Sequence, residues 1–207
     1  MSEFQLYFQL GFEHILDLEG YDHILFIVAL CAIYKVAQWK NILLLVTAFT
    51  IGHSVSLTLA SLKIMQFSAE VVEFLIPLTI LLTALYNVFK AKQDQQRSLM
   101  NSFYALCFGL IHGLGFSNYL SMLIGMEEEV LNPLLAFSIG VELGLIVIVL
   151  VVMLVGFLVM NVFGAKQRDW ILFISGAAAG IALILILGSD LIANWTPAAG
   201  TPASTFE

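Results

Sequence analysis

Long apolar stretches, separated by short polar segments, make up most of the chain. A helix that crosses a bilayer needs about 20 mostly apolar residues, because each residue rises only about 1.5 Å and the backbone must bond to itself. Six stretches fit this description, at residues 22–38, 42–62, 70–89, 102–125, 132–159 and 170–193. The pattern predicts an all-α polytopic membrane protein, a bundle of six transmembrane helices.

The two ends of the chain differ from these stretches. Residues 1–12 alternate phenylalanine and leucine with polar side chains. They lack the basic start of a signal peptide, so we expect a short interfacial N-terminal helix. Residues 194–207 are rich in Pro, Ala, Thr and Gly, a composition typical of disorder. The sequence thus predicts one transmembrane helical domain over 1–193 and a flexible C-terminal tail over 194–207.

Composition supports a membrane protein and argues against other classes. Of the 207 residues, 60% are hydrophobic and 11% are charged, whereas soluble domains carry roughly 25% charged residues. The net charge of -7 argues against a nucleic-acid partner, which would require a basic face. Cys31 and Cys107 lie in apolar runs without CxxC spacing, so we interpret both as small hydrophobic residues.

Basic residues are concentrated on alternate connections between the predicted spans. Seven of the eight follow the first, third and fifth spans: Lys35, Lys40, Lys90, Lys92, Arg97, Lys166 and Arg168. The opposite connections carry only Lys63, together with acidic residues such as those at 127–129. Since connections rich in Lys and Arg remain in the cytoplasm, we expect both termini outside it.

Ionisable residues within the apolar stretches are the strongest indication of function. A charge at the centre of a bilayer costs at least ~2.5 kcal/mol, so such residues usually face a partner or a water-filled cavity. His53 and His112 lie near the middle of the second and fourth spans. Glu142 lies about ten residues into the fifth span. We therefore predict that these three side chains share one membrane level.

A second group of polar residues lies at the start of the first span. Asp22 and His23 begin this span, and His14 precedes them. His14 could instead be an interfacial surface residue, and Asp22 could serve as a helix N-cap and outer-shell partner of His23. Imidazole and carboxylate ligands suit divalent transition metals, without choosing among nickel, cobalt and zinc. The candidate metal ligands are His14, Asp22, His23, His53, His112 and Glu142.

Small residues flank the candidate ligands on the second, fourth and fifth spans. They allow helix backbones to approach closely, which would bring side chains of different helices within reach of one ion. The set comprises Gly52, Ser54, Gly109, Gly113, Gly115, Gly140 and Gly144.

Four short motifs in this order resemble the HupE/UreJ family of hydrogenase and urease accessory membrane proteins. They are Gly-Tyr-Asp-His at 20–23, Thr-Ala-Phe-Thr-Ile-Gly-His-Ser at 47–54, Phe-Gly-Leu-Ile-His-Gly-Leu-Gly-Phe at 108–116 and Gly-Val-Glu-Leu-Gly at 140–144. The resemblance covers about residues 11 to 160. It implies uptake of nickel, or a similar divalent metal, by a small permease integral to the bacterial inner membrane. Nickel permeases carry a His before an Asp-His pair; here seven residues separate His14 from Asp22, more than is usual in the family.

A second hypothesis is an intramembrane zinc-dependent hydrolase that acts on lipid or amide substrates. Three histidines and a carboxylate also describe catalytic zinc with an open position for water. Ser54 or Ser117 would assist, and Glu142 or Asp22 would be the general base. We favour the transporter, which is not an enzyme, with a divalent cation and the lipid bilayer as partners; the sequence leaves a homo-oligomer open.

Overall fold

A computed structural model describes residues 2–65, 67–91, 98–124 and 130–195, and the regular structure in these ranges is helical. A 3₁₀ turn at Val36–Gln38 leads into α3, and a π-helical turn at Leu158–Val162 extends α7. The α-helices are α1 (Glu3–Leu16), α2 (Asp22–Cys31), α3 (Trp39–Ser61), α4 (Ala69–Lys90), α5 (Ser98–Gly115), α6 (Ser117–Ile124), α7 (Leu131–Phe157), α8 (Gln167–Leu187) and α9 (Asp190–Trp195).

Four described helical segments are long and apolar enough to cross a membrane: Val36–Ser61, Ala69–Lys90, Leu131–Val162 and Gln167–Leu187. The chain is therefore an integral membrane protein. The other two predicted spans contain shorter helices. Helix α2 has 10 residues, or roughly 15 Å, about half the hydrocarbon thickness. A turn at Phe116 separates α5 from α6. The count of six spans stays a prediction.

The helices pack mainly in three pairs: α3 against α5, α1 against α7, and α4 against α8. Helix α2 lies among them and contacts α4, α7 and α8. Its central position explains its burial, since most of its residues from His23 to Cys31 are buried. The start of α2, where Asp22 and His23 lie, is therefore held in the interior of the bundle.

Glycines set the close approach of α3 and α5, as the sequence predicted. A Cβ on Gly52 would collide with the Leu106 carbonyl. A Cβ on Gly109 would collide with the Phe49 carbonyl, and one on Gly113 with the His53 carbonyl. Small residues at such crossings allow backbone-to-backbone contact. This contact brings His53 on α3 beside the turn of α5 that carries His112.

The N-terminal helix is docked along α7. It begins with a capping box at Ser2, which satisfies backbone N–H groups of its first turn. A Cβ on Gly140 would collide with the Phe8 carbonyl, and one on Gly11 with the Phe137 carbonyl. Its interfacial placement stays a prediction. The predicted tail beyond residue 195, Lys92, Arg97 and the acidic run at 127–129 lie outside the described residues.

Candidate metal site

The candidate ligands come together where helices begin or end. His14 lies in the last turn of α1, and His23 is the second residue of α2. His112 lies in the last turn of α5, whereas His53 lies within α3. Interrupted helices in membrane proteins commonly surround ion sites, because irregular backbone at membrane depth is tolerated where it lines a cavity or is buried in protein.

All four imidazole rings form one cluster centred on His23. The ring centroid of His23 lies 4.8 Å from that of His14, 5.3 Å from that of His112 and 5.7 Å from that of His53. His14 and His53 are 6.0 Å apart. His14, which the sequence could have assigned to a surface, is thus brought against His23 by the docking of α1.

Two overlapping groups in this cluster bring together ligand atoms that could hold a metal ion. One contains His14, His23 and His53, and the other contains Asp22, His23 and His112. Within each group, one ligand atom per residue lies within 4.8 Å of the others. Ligand atoms of a tetrahedral zinc-like ion lie roughly 3.4 Å apart. Movements of about 1 Å would therefore bring either group into coordinating distance.

The imidazole nitrogens are buried yet largely without hydrogen bonds. Five of them have no partner among the described residues: His14 Nε2, His23 Nε2, His53 Nδ1 and Nε2, and His112 Nδ1. A sixth, His23 Nδ1, faces only the Asp22 carboxylate, at 3.0 Å. Both His53 and His112 are fully buried. Buried polar atoms are normally bonded, and leaving them unbonded is destabilising. Binding a cation would satisfy several of these nitrogens at once.

Asp22 contacts His23 in two ways. One of its carboxylate oxygens, Oδ1, accepts the backbone N–H of His23 at 2.8 Å and lies 3.0 Å from His23 Nδ1. The carboxylate is therefore placed either to orient the His23 ring or to bind a cation beside it. Its negative charge also offsets part of the charge of a divalent ion in this buried site.

Aromatic rings pack against the histidines and exclude water from the buried part of the cluster. Phe116 lies 4.0 Å from the His14 ring, between centroids. Phe26 and Phe49 lie 5.0 Å and 5.3 Å from the His112 ring. Charge interactions are stronger where water is excluded, so a carboxylate and a bound cation would attract each other strongly here.

Glu142 is placed apart from the histidines. Its Oε1 accepts a hydrogen bond of 2.7 Å from the Thr47 hydroxyl on α3, and it belongs to neither group of candidate ligands. On α7, Phe137 is the residue that stacks on His53. Glu142 follows it by five residues, roughly 7.5 Å along the helix. Among the described residues, Glu142 is therefore a hydrogen-bond partner of Thr47 and is not a member of the histidine groups.

Thr79 is a site residue that the sequence reasoning missed. Its hydroxyl oxygen lies 3.1 Å from Nε2 of His112. The signal was available in α4, where Thr79, Thr83 and Asn87 recur at helical spacing on the buried face. Threonines on an interior helix face often bond across helices, so this pattern indicates a polar contact.

Two surface depressions reach the cluster. A cavity of about 310 Å³ includes Glu19, Asp22 and Glu73 in its lining. A wider groove of about 700 Å³ includes Glu13, His14 and Asp17. The cavity is lined by the candidate ligand Asp22 and the groove by His14, and the lining of each includes two further carboxylates. Negative linings of this kind concentrate cations.

The serines proposed for hydrolysis are differently placed. The Ser117 hydroxyl donates a hydrogen bond of 2.7 Å to the Leu114 carbonyl, so its proton is already engaged. The Ser54 hydroxyl is buried without a partner among the described residues.

Comparison with protein families identifies a relationship over most of the chain. A family model described as HupE / UreJ protein matches residues 1–189, nearly the whole chain. Neither the curated proteins nor the solved structures contain a significant match.

Proposed function

The chain belongs to the HupE/UreJ family, and on that premise we propose that it is a permease for a divalent transition metal ion such as nickel, cobalt or zinc. The cargo binds at His14, Asp22, His23, His53 and His112. Family membership and the His and Asp groups support a role in metal transport; the permease activity is our proposal.

The observation that carries the proposal is the set of five buried imidazole nitrogens without a partner among the described residues, all in one cluster. Structural histidines in membrane bundles normally bond to a neighbouring helix. Here four histidines converge on each other, an arrangement that would be unfavourable without a shared cation. Imidazole ligands select borderline transition metals over magnesium and calcium, which prefer oxygen.

Entry is through the cavity lined by Glu19, Asp22 and Glu73. Following the positive-inside rule, we place this cavity and both termini on the side away from the cytoplasm. Carboxylates at the mouth raise the local cation concentration. Asp22 lies in both the cavity lining and the candidate site, so it can pass an ion from one to the other.

An aromatic barrier closes the other side of the site. The Phe26 ring lies 5.1 Å from Phe49 and 5.8 Å from Phe108, between centroids. Beyond these rings lies a cavity of about 180 Å³ lined in part by Tyr34 and Asn101. Hydrophobic constrictions gate ion pathways. In the permease, the phenylalanines separate the loaded site from the cytoplasmic exit and must move for the ion to leave.

Glu142 serves a later step in this scheme. Its carboxylate lies on α7 and accepts a hydrogen bond from the Thr47 hydroxyl on α3. One of its oxygens, Oε2, is buried without a partner among the described residues. A carboxylate within an apolar span usually marks an ion or proton pathway, and we assign Glu142 to the pathway outside the main imidazole site.

Metal flux into proteoliposomes tests the permease. Purified protein is reconstituted, and the entry of nickel, cobalt or zinc is followed with a metal-sensitive dye inside the vesicles. Wild-type protein should import at least one of these ions. His53→Ala should abolish import, because it removes a ligand that no neighbour replaces.

The matched control is Asp169→Asn, which alters an exposed charge in the first turn of α8, away from the site. This variant should import metal like the wild type. Wild-type vesicles that take up none of the three ions would overturn the permease. Hydrolysis of a lipid or amide by a zinc-loaded protein that supports no flux would favour the hydrolase instead.

A further inference from the structure

Thr79 and His112 form a buried pair between α4 and α5. The Thr79 hydroxyl donates a hydrogen bond of 2.7 Å to the Ile76 carbonyl. The same oxygen lies 3.1 Å from Nε2 of His112. Both side chains are buried, so water does not compete for either group. The contact therefore determines how the protons of this pair are shared.

The single hydroxyl hydrogen of Thr79 determines the tautomer of the His112 ring. A threonine hydroxyl has one hydrogen to donate and lone pairs to accept, and a carbonyl oxygen only accepts. The hydrogen of Thr79 is used on the Ile76 carbonyl. The short contact with His112 is then a hydrogen bond in which Nε2–H donates to Thr79. A neutral imidazole protonated on Nε2 leaves Nδ1 with a free lone pair.

The opposite tautomer does not fit these contacts. A proton on Nδ1 would make Nε2 an acceptor, and the Thr79 hydroxyl would then have to leave the Ile76 carbonyl to donate to it. In the Nε2–H form both contacts of Thr79 are kept. Nδ1 is buried and has no partner among the described residues, so its lone pair is free for a metal ion.

We infer that Thr79 is a positioning residue that holds His112 as the Nε2–H tautomer and leaves Nδ1 to bind the cation. The metal-binding role of Nδ1 rests on the proposed function. Phe26 and Phe49 pack on the same ring and limit its rotation. Packing thus sets the orientation of the His112 ring, and Thr79 determines which of its nitrogens carries the proton. Outer-shell partners of metal ligands have the same effect in metal sites.

Nitrogen-15 NMR of histidine-labelled, metal-free protein in detergent micelles tests the tautomer directly. The two nitrogens of a neutral imidazole have distinct shifts, and the His112 signals are assigned by their loss in His112→Gln. Wild-type protein at neutral pH should show His112 protonated on Nε2. Thr79→Val removes the hydroxyl at nearly constant volume and should reduce this preference. Thr79→Ser, which keeps the hydroxyl, should restore it.

Thr83→Val is the matched control, because Thr83 lies one turn further along α4 and its hydroxyl donates to the Thr79 carbonyl. Titration with nickel or zinc should show about 10–100-fold weaker binding for Thr79→Val. Thr83→Val and Thr79→Ser should bind like the wild type.

The outcomes separate this inference from the proposed function. A wild-type His112 protonated on Nδ1, or equal binding by Thr79→Val and Thr83→Val, would overturn the role of Thr79. A wild type with the Nε2–H form that binds no nickel, cobalt or zinc would overturn the metal site and leave the tautomer assignment standing.

Discussion

Gly109 on α5 faces the backbone carbonyl of Phe49 on α3 so closely that a Cβ there would collide with it. Phe49 lies one helical turn before His53, and Gly109 lies three residues before His112. The absence of a side chain at Gly109 therefore sets the separation of two candidate ligands. A single methyl group at this position would disturb both the fold and the site.

Gly109→Ala should destabilise the protein by about 1–3 kcal/mol, as overpacking does in a tight interior. It should also weaken metal binding, since His53 and His112 would be forced apart. Thermal unfolding in detergent and metal titration measure the two effects. Gly180→Ala in α8 is the control, because a Cβ there meets no atom within 4 Å. If Gly109→Ala and Gly180→Ala unfolded at the same temperature, the close contact between the α3 and α5 backbones would not be essential for stability.

His23→Ala should weaken metal binding more than any other single substitution in the cluster. His23 belongs to both groups of candidate ligands, whereas His14 and His112 belong to one each. Removing a direct ligand should exceed the roughly 10–100-fold loss that outer-shell changes cause. Calorimetric titration of His23→Ala, His14→Ala and His112→Ala gives the ranking. Equal losses in all three would contradict a site centred on His23.

Replacing Glu19 and Glu73 together by glutamine should slow metal import without changing equilibrium affinity at the histidines. These carboxylates line the entry cavity but are not candidate ligands. Losing electrostatic attraction at a mouth lowers the rate of association, here by up to about tenfold at low salt. Flux at several salt concentrations measures the effect, which should shrink as salt rises. Glu3→Gln, at the start of α1, should have no effect.

Glu142→Gln should leave metal affinity unchanged and reduce flux. Glutamine can still accept the Thr47 hydrogen bond, so the helix contact is kept while the charge is lost. Metal titration in detergent and import into vesicles are compared on the same preparation. A loss of affinity as large as that of His23→Ala would return Glu142 to the ligand set.

The helical fold followed from the sequence because apolar length is a strong signal. The interruptions of the helices could not be predicted, because the apolar runs continue beyond the ends of α2 and α5. Nothing in their hydropathy marks an end at Cys31 or a turn at Phe116. Where an apolar helix stops depends on the neighbours that satisfy its free backbone groups, which the sequence does not display. The prediction of small residues at helix crossings was confirmed at Gly52, Gly109 and Gly140.

The histidines of the candidate site were predictable, but their arrangement was not. Ionisable residues in and just before the apolar stretches included all four histidines and Asp22, whereas Thr79, which is not ionisable, was missed. Membrane depth grouped Glu142 with His53, but Glu142 contacts Thr47, and the docking of α1, which membrane depth does not describe, also decides which side chains meet. That docking brings in His14, and its glycine contacts with α7 involve residues far apart in the chain.

X-ray absorption at the metal edge of nickel- or zinc-loaded protein tests the central claim most directly, because it reports the ligands of the ion itself. The account predicts several imidazole ligands with metal–nitrogen distances of about 2.0–2.1 Å, and fewer in His23→Ala. A spectrum showing only oxygen ligands, or one unchanged by His23→Ala, would contradict a cation held by these histidines.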